Sequence, residues 1–228
     1  MPKYTVHNIP FLLKPFLWVY GWIGGFFFCF LNFVFKSLIK IEYHNIEHVN
    51  NAPNYIFTLW HENLPLYFVA HPKFKRPNIW LSFPMWYMKP VHTMKKIIGI
   101  QKIAYGASGH DGKKALNQVL DGLSKGWSTF LNPDGPKGPV RKMKDGALIM
   151  SLKTGTPIIP IGFQVAGNWR INSWDKKRYP PFGSTLKVVY GSPIYVTKEN
   201  FNTAKTLVAE GMNDKLISKK GRGKLPNI

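Results

Sequence analysis

Residues 16–35 carry no charge, and most of those twenty positions are Phe, Trp, Leu, Val or Ile. A helix that is apolar on every side does not rest on the surface of a water-soluble domain. Such a run is buried in a core, cleaved as a signal peptide, or placed in a membrane. Twenty apolar residues are about enough to span the hydrocarbon layer as one helix. The run is long for a signal peptide and lacks an obvious cleavage site of small residues. Lys14 stands before it and Lys36 and Lys40 after it, a flanking pattern that suits a membrane anchor better than a buried helix. Gly21, Gly24 and Gly25 fall near its middle. They leave two shapes open, one continuous helix or two short helices dipping into a single leaflet.

The charge balance points the same way. The 228 residues hold 31 Lys and Arg against 11 Asp and Glu, a net charge of +20. A protein so basic seeks a polyanion, either nucleic acid or an anionic membrane face. The chain has no recognised nucleic-acid motif, and its aromatic residues concentrate in the anchor, so the membrane surface is the expected partner and nucleic acid is not. A tail with Lys219, Lys220, Arg222 and Lys224 adds to the attraction. The single cysteine, Cys29, cannot form an intramolecular disulfide, and no Cys/His cluster has zinc-ligand spacing, so no metal or cofactor is expected. The length suits one domain. The expected division is an anchor at 1–40, an α/β domain at 41–218 and a basic tail at 219–228.

After the anchor, short β-favouring runs at 55–59, 78–81, 128–131, 157–163 and 186–190 alternate with helical stretches at 110–123, 146–153 and 203–218. The alternation predicts an α/β fold with a largely parallel central sheet flanked by helices. In such sheets the ligand crevice lies beyond the carboxyl ends of the strands. Two features sit there. Trp60-His61 ends one apolar run, and a histidine at that place can serve as a general base. The octapeptide Asn132-Pro133-Asp134-Gly135-Pro136-Lys137-Gly138-Pro139 ends another. Its three prolines and two glycines fix a rigid loop that carries one acid and one base.

These strings resemble the lysophospholipid acyltransferase superfamily, and most closely a bacterial branch with a Trp-His pair and a PDGP(R/K)GP loop. Trp60-His61, residues 99–106, residues 132–139 and residues 155–160 match its blocks in order, over about 41–196. Ser173-Trp174-Asp175 and Pro180-Pro181-Phe182, then residues 189–194, are similar to the branch's C-terminal pattern. The resemblance implies a glycerolipid acyltransferase-like fold with a shallow membrane anchor. It also implies transfer of a fatty acyl group from acyl-CoA or acyl carrier protein to a hydroxyl of a lysophospholipid or related lipid. A cytoplasmic-membrane location with the site facing the cytoplasm follows, because thioester donors are made there. His61 would be the base, with Tyr105, Asp134, Gly135, Pro136 and Lys137 on the substrate. Lys137 would meet an acceptor phosphate, helped by backbone N–H groups near Gly135.

The chain departs from the family's pattern at three places. One is Ser82, which is followed by Phe83-Pro84-Met85-Trp86-Tyr87 where the branch often has Asp-Gly. Leu66 stands where most members carry an acid five residues after the histidine, and Tyr105 stands where the second block usually ends in Arg. The carboxylate that orients His61 is therefore open among Glu62, Asp111 and Asp134. Glu62 is nearest in sequence, and the resemblance ties Asp134 to the acceptor. The lost Arg leaves Lys102, Lys113 and Lys114 as compensating bases. The same departures motivate a second reading, a lipid-binding protein of this fold without catalysis. His92 and His110 read as surface or structural histidines rather than a second base.

Overall fold

The structure, a computed structural model, describes residues 4–70, 77–106, 111–167 and 169–213. In chain order the elements are α1 (Lys14–Ser37), β1 (Lys40–His44), α2 (Glu47–Asn50), β2 (Ile56–Thr58), α3 (Leu64–Ala70), β3 (Asn78–Ser82), α4 (Lys89–Ile97) and β4 (Lys102–Tyr105). There follow α5 (Gly112–Ser124), β5 (Ser128–Leu131), α6 (Gly146–Thr154), β6 (Ile158–Val165), β7 (Trp169–Arg170), β8 (Arg178–Tyr179), β9 (Thr185–Tyr190) and α7 (Phe201–Gly211).

Seven strands form one sheet in the order β1-β9-β6-β2-β5-β3-β4. The five from β6 to β4 run parallel, β9 returns antiparallel to β6, and β1 runs parallel to β9. The sequence reason is plain in β2, where Ile56, Phe57 and Thr58 are all buried. A central strand covered on both faces has no polar side to show. Side chains alternate across the sheet. Phe57 joins Trp80, Phe130 and Ile159 in the core beneath α3, while Ile56 joins Ile79, Val119, Leu148 and Val208 beneath α5, α6 and α7. This is the mostly parallel α/β sandwich expected from the alternating runs.

Because β2 to β6 share one direction, their carboxyl ends share one edge. His61 follows β2, the Asn132 loop follows β5, Ser82 ends β3 and Tyr105 ends β4. Beside this sheet, β7 and β8 pair antiparallel as a hairpin, with Arg170 opposite Arg178.

The glycines of α1 have a packing role. The helix is continuous over Lys14–Ser37, so the two-helix shape left open by the sequence is not the one adopted. Residues three and four apart share a helix face, and Gly21, Gly24 and Gly25 together meet α4. A Cβ on Gly25 would lie 2.8 Å from Thr93 Cβ, and one on Gly24 2.7 Å from Pro90 Cβ. The glycines thus allow two backbones to approach rather than bend one. Further along, Phe35 is buried against the rings of Trp169, Tyr179 and Phe182. Elsewhere α1 stays uncovered, with Trp18, Ile23, Phe26, Phe30 and Phe33 each at least 58% exposed. The segment Phe11–Ser37 is long and apolar enough to cross a membrane by length and composition, and it is not a core helix.

Candidate active site

His61 opens a single 3-10 turn directly after β2. Trp60 before it is extended and buried, and its indole N–H donates to Asn213 Oδ1 at 3.0 Å. The Asn132 loop is tied to the same strand end. Asn132 Nδ2 donates to the Leu59 carbonyl at 2.9 Å, and the fully buried Asp134 carboxylate accepts the His61 N–H at 3.1 and 3.3 Å. It also accepts the Arg141 N–H at 3.4 Å. Asp134 therefore holds His61 by its backbone. That geometry corrects the assignment to acceptor binding, because the carboxylate faces inward onto N–H groups.

The imidazole has a different partner. His61 Nδ1 lies 2.5 Å from Oδ2 of Asp175, whose side chain is fully buried. A carboxylate on Nδ1 fixes the proton there and leaves Nε2 as the lone-pair nitrogen. Ser173 Oγ donates to the other Asp175 oxygen at 2.7 Å, and Lys177 Nζ donates to Oδ2 at 2.6 Å. Burial pulls the Asp175 pKa up, but the bonds from Lys177, Ser173 and His61 outweigh it and hold the carboxyl below its usual range. For His61, burial lowers the pKa most, the bond from Asp175 raises it, and Lys177 lowers it again. The net position is below the usual histidine value, so the imidazole is neutral at pH 7.

Asp175 sits in the β7–β8 hairpin beside Trp174, whose ring centroid lies 5.1 Å from that of His61. Gly138 makes room for this indole. Its φ is +67°, and a Cβ there would lie 2.8 Å from Trp174 Cζ3. The rigid octapeptide therefore receives the hairpin as well as the end of β2. The Ser173-Trp174-Asp175 string was visible in the sequence as part of the resemblance, but nothing marked its acid as a partner of a histidine 114 residues earlier.

The two leading candidates for that partner lie elsewhere. Glu62 is buried and faces away, because neighbouring side chains diverge from the backbone. Its Oε1 accepts both Nε and Nη2 of Arg141, and its Oε2 accepts Arg170 Nη1 at 3.4 Å. Asp111 is exposed at the start of α5, after β4. In the sheet order β4 stands three strands from β2, roughly 14 Å at the usual strand spacing. Asp111 lines a small cavity with His7, Tyr105, Lys114 and Gln118 instead.

The expected substrate-binding residues divide. Pro136 and Lys137 are exposed at the loop tip, and Lys137 makes no ion pair among the described residues. Of the backbone N–H groups near Gly135, its own donates to the Asn132 carbonyl at 3.0 Å, within the loop. Tyr105 is packed edge-on between His7 and His92, both with ring centroids at 5.0 Å. His92 is buried, as a structural histidine should be, and its Nε2 meets the Phe83 carbonyl at 3.1 Å. His110 and the basic tail lie outside the described residues.

A buried lysine was not anticipated. Lys95 of α4 donates to Ser82 Oγ at 2.9 Å and lies 3.4 Å from the Leu81 carbonyl, and burial pushes its pKa down to about 8. Its charge also counts among those that lower the His61 pKa.

No protein-family model matches the chain. Its fold resembles that of the 1-acyl-sn-glycerophosphate (LPA) acyltransferase PlsC from Thermotoga maritima, with a TM-score of 0.50 over 88% of this chain and 96% of that one. Sequence identity in that alignment is 14%, so the likeness is one of fold. A sequence relative is the uncharacterized protein RP090 of Rickettsia prowazekii (strain Madrid E), 31% identical over 191 residues that cover 78% of this chain and 84% of the relative. On that identity and coverage, the chain belongs to the same family as RP090.

Proposed function

We propose that the protein is a membrane-associated acyltransferase, moving a fatty acyl group from a thioester donor, acyl-CoA or acyl carrier protein, to a hydroxyl of a lysophospholipid or related lipid. The observation that carries the reading is the His61–Asp175 pair at the carboxyl edge of the sheet, with Nδ1 on the carboxylate at 2.5 Å. The PlsC-like fold and the exposed apolar helix α1 support it.

The chemistry follows from the tautomer. Nε2 of His61 takes the acceptor hydroxyl proton as the oxygen attacks the thioester carbonyl carbon. Positive charge develops on the imidazolium, and Asp175 stabilises it without taking the proton. When the tetrahedral intermediate collapses, the carbon–sulfur bond breaks and the thiolate receives that proton from Nε2. General-base help of this kind is worth roughly 10²–10⁴-fold.

The aromatic face of α1 would lie in one leaflet, as an interfacial helix does. Its other face is held by α4, and α4 carries Lys89 and Lys96. The basic body adds attraction to an anionic surface on the order of 1 kcal/mol per nearby Lys or Arg. In this reading residues 1–40 are the anchor, 41–218 the catalytic domain and 219–228 a basic tail on the cytoplasmic face.

The test is labelled acyl transfer from acyl-CoA and from acyl carrier protein into a total lipid extract, comparing the parent with His61→Ala. Product from the parent alone supports the reading, and the labelled lipid identifies the acceptor. No product from either folded protein with both donors overturns it in favour of a lipid-binding protein without catalysis.

A further inference from the structure

The β7–β8 hairpin has two unlike faces. Trp169 pairs with Tyr179 and Arg170 with Arg178, and residues directly opposite share a face. The arginine face meets the body of the domain, where Arg170 donates to Glu62 and Arg178 to Asn63. The aromatic face meets α1, where the Trp169 and Tyr179 ring centroids lie 6.1 and 5.4 Å from that of Phe35. Ile171 continues this aromatic face. It stands two residues after Trp169, and its N–H extends the pairing by donating to the Lys177 carbonyl at 3.0 Å. Phe182 packs edge-on against Trp169 at 4.9 Å. The N–H of Gly183, just after it, donates to the Leu38 carbonyl at the end of α1 at 2.8 Å.

Much of this surface is open. Trp169, Ile171, Trp174 and Phe182 are between 42% and 51% exposed. One exposed apolar side chain is ordinary, but a cluster of them marks a contact surface. Two observations identify what covers it. The first is continuity. Through Phe35 and Leu38 the patch joins the exposed apolar side of α1. The second is charge. Lys36 and Lys40 flank Leu38, Lys176 stands two residues after Trp174, and all three are exposed, whereas the one acid of the hairpin, Asp175, is buried. Tryptophan rings among lysines suit a membrane interface, where the indoles sit at head-group level and long basic side chains reach the phosphates. The core of a protein–protein contact is instead poor in lysine.

We infer that the aromatic face of the β7–β8 hairpin, with Phe182, is a second contact with an anionic membrane surface, continuous with that of α1. The same hairpin carries Trp174 and Asp175, and the Trp174 ring centroid lies 5.1 Å from that of His61. The contact therefore sets His61 at the level of the lipid head groups. The inference rests on the membrane reading of α1. The acyl-transfer reading enters only in the use made of that depth, which lets a lipid hydroxyl reach Nε2 without leaving its leaflet.

Spin-label depth measurement on the full-length protein tests this without any turnover. In a Cys29→Ser background, nitroxides are attached through Ile171→Cys on the hairpin, Phe30→Cys on α1 and Lys125→Cys at the exposed end of α5. Asn172→Cys, also exposed, gives a second hairpin site should the first variant melt early. The protein is bound to vesicles of phosphatidylethanolamine and phosphatidylglycerol. Relaxation by oxygen, which concentrates among acyl chains, is then compared with relaxation by a water-soluble nickel chelate. The hairpin label should lie roughly 5–10 Å into the boundary between head groups and acyl chains, as the α1 label should, while the α5 label stays in water. A hairpin label as open to nickel as the α5 label, with the α1 label immersed, overturns the inference and leaves α1 as the anchor. Hairpin and α1 labels both in water overturn the membrane reading of α1 as well. A hairpin label shielded from both reagents and broadened by a second nitroxide shows that another copy of the chain covers the face, which also overturns it. Immersion of the hairpin in a protein that transfers no acyl group keeps this contact while overturning the acyl-transfer reading.

Discussion

Asp175→Asn is the most informative single change. It preserves shape and removes the charge that faces His61 Nδ1 at 2.5 Å. At an effective dielectric of about 20, unit charges at that 2.5 Å separation attract by roughly 6–7 kcal/mol. Lys177, at 2.6 Å from the same oxygen, repels the imidazolium and cancels part of this. A net loss of about 3–5 kcal/mol in the transition state corresponds to roughly 10²–10⁴-fold in rate. A second effect adds to the first. The asparagine amide can donate to Nδ1, which moves the imidazole proton to Nε2 and removes the base. The assay is kcat/KM for acyl transfer at pH 7.5, with thermal melting to confirm that the variant is folded. His61→Ala and the double variant close a cycle, and the double should be no worse than His61→Ala alone, because the two residues act as a unit. An Asp175→Asn enzyme within threefold of the parent, or independent additive losses, would refute the pairing.

Three further outcomes are expected. The acid limb of kcat/KM should fall below pH 6.5, since burial depresses the His61 pKa, and Lys177→Gln should move that limb upward by removing a repelling charge; a downward shift would contradict the assignment. Burial raises the Asp134 pKa from 3.8 to about 6, so the folded state holds this proton more tightly than the unfolded chain. Stability from that proton is full below pH 3.8 and is lost as pH rises through 6. The parent should therefore lose ground against Asp134→Asn between pH 4 and pH 6 in denaturant melts, and a constant difference would sink the argument. Gly25→Val should destabilise by about 1–3 kcal/mol through overpacking against Thr93. Phe30→Leu on the exposed face of α1 should melt as the parent does, and matching melts for Gly25→Val would show that α1 and α4 do not pack as described.

The central strands were legible because both of their faces are buried. Ile56-Phe57-Thr58 and Ser128-Thr129-Phe130 leave little choice to a chain that must hide them. The edge strands were not. In β1, Lys40 and Glu42 interrupt the apolar residues, and Lys102-Ile103-Ala104-Tyr105 is short and partly exposed. The placement of His61 and the Asn132 loop at one edge was readable from strand order alone. The identity of the acid was not. Asp175 reaches His61 from the loop of a hairpin whose two-residue strands are arginine and aromatic, with no periodicity to mark them. A carboxylate 114 residues after the histidine it meets is brought there by topology, which local spacing does not encode.

The contact of Phe35 with Trp169 has a practical consequence. The aromatic helix near the N-terminus and the carboxylate that meets His61 share a foundation, because Trp169 begins the hairpin that carries Asp175. A shortened chain starting after Ser37, made to gain solubility, would strip Phe35 from Trp169, Tyr179 and Phe182 at once. It would also leave the groove along α4 that receives the glycines open to water. Such a protein should turn over poorly even on water-soluble donors and acceptors, where docking to a bilayer is irrelevant. On the acyl-transfer reading, removing the apolar helix and loosening the hairpin that holds Asp175 against His61 are, in this fold, the same operation.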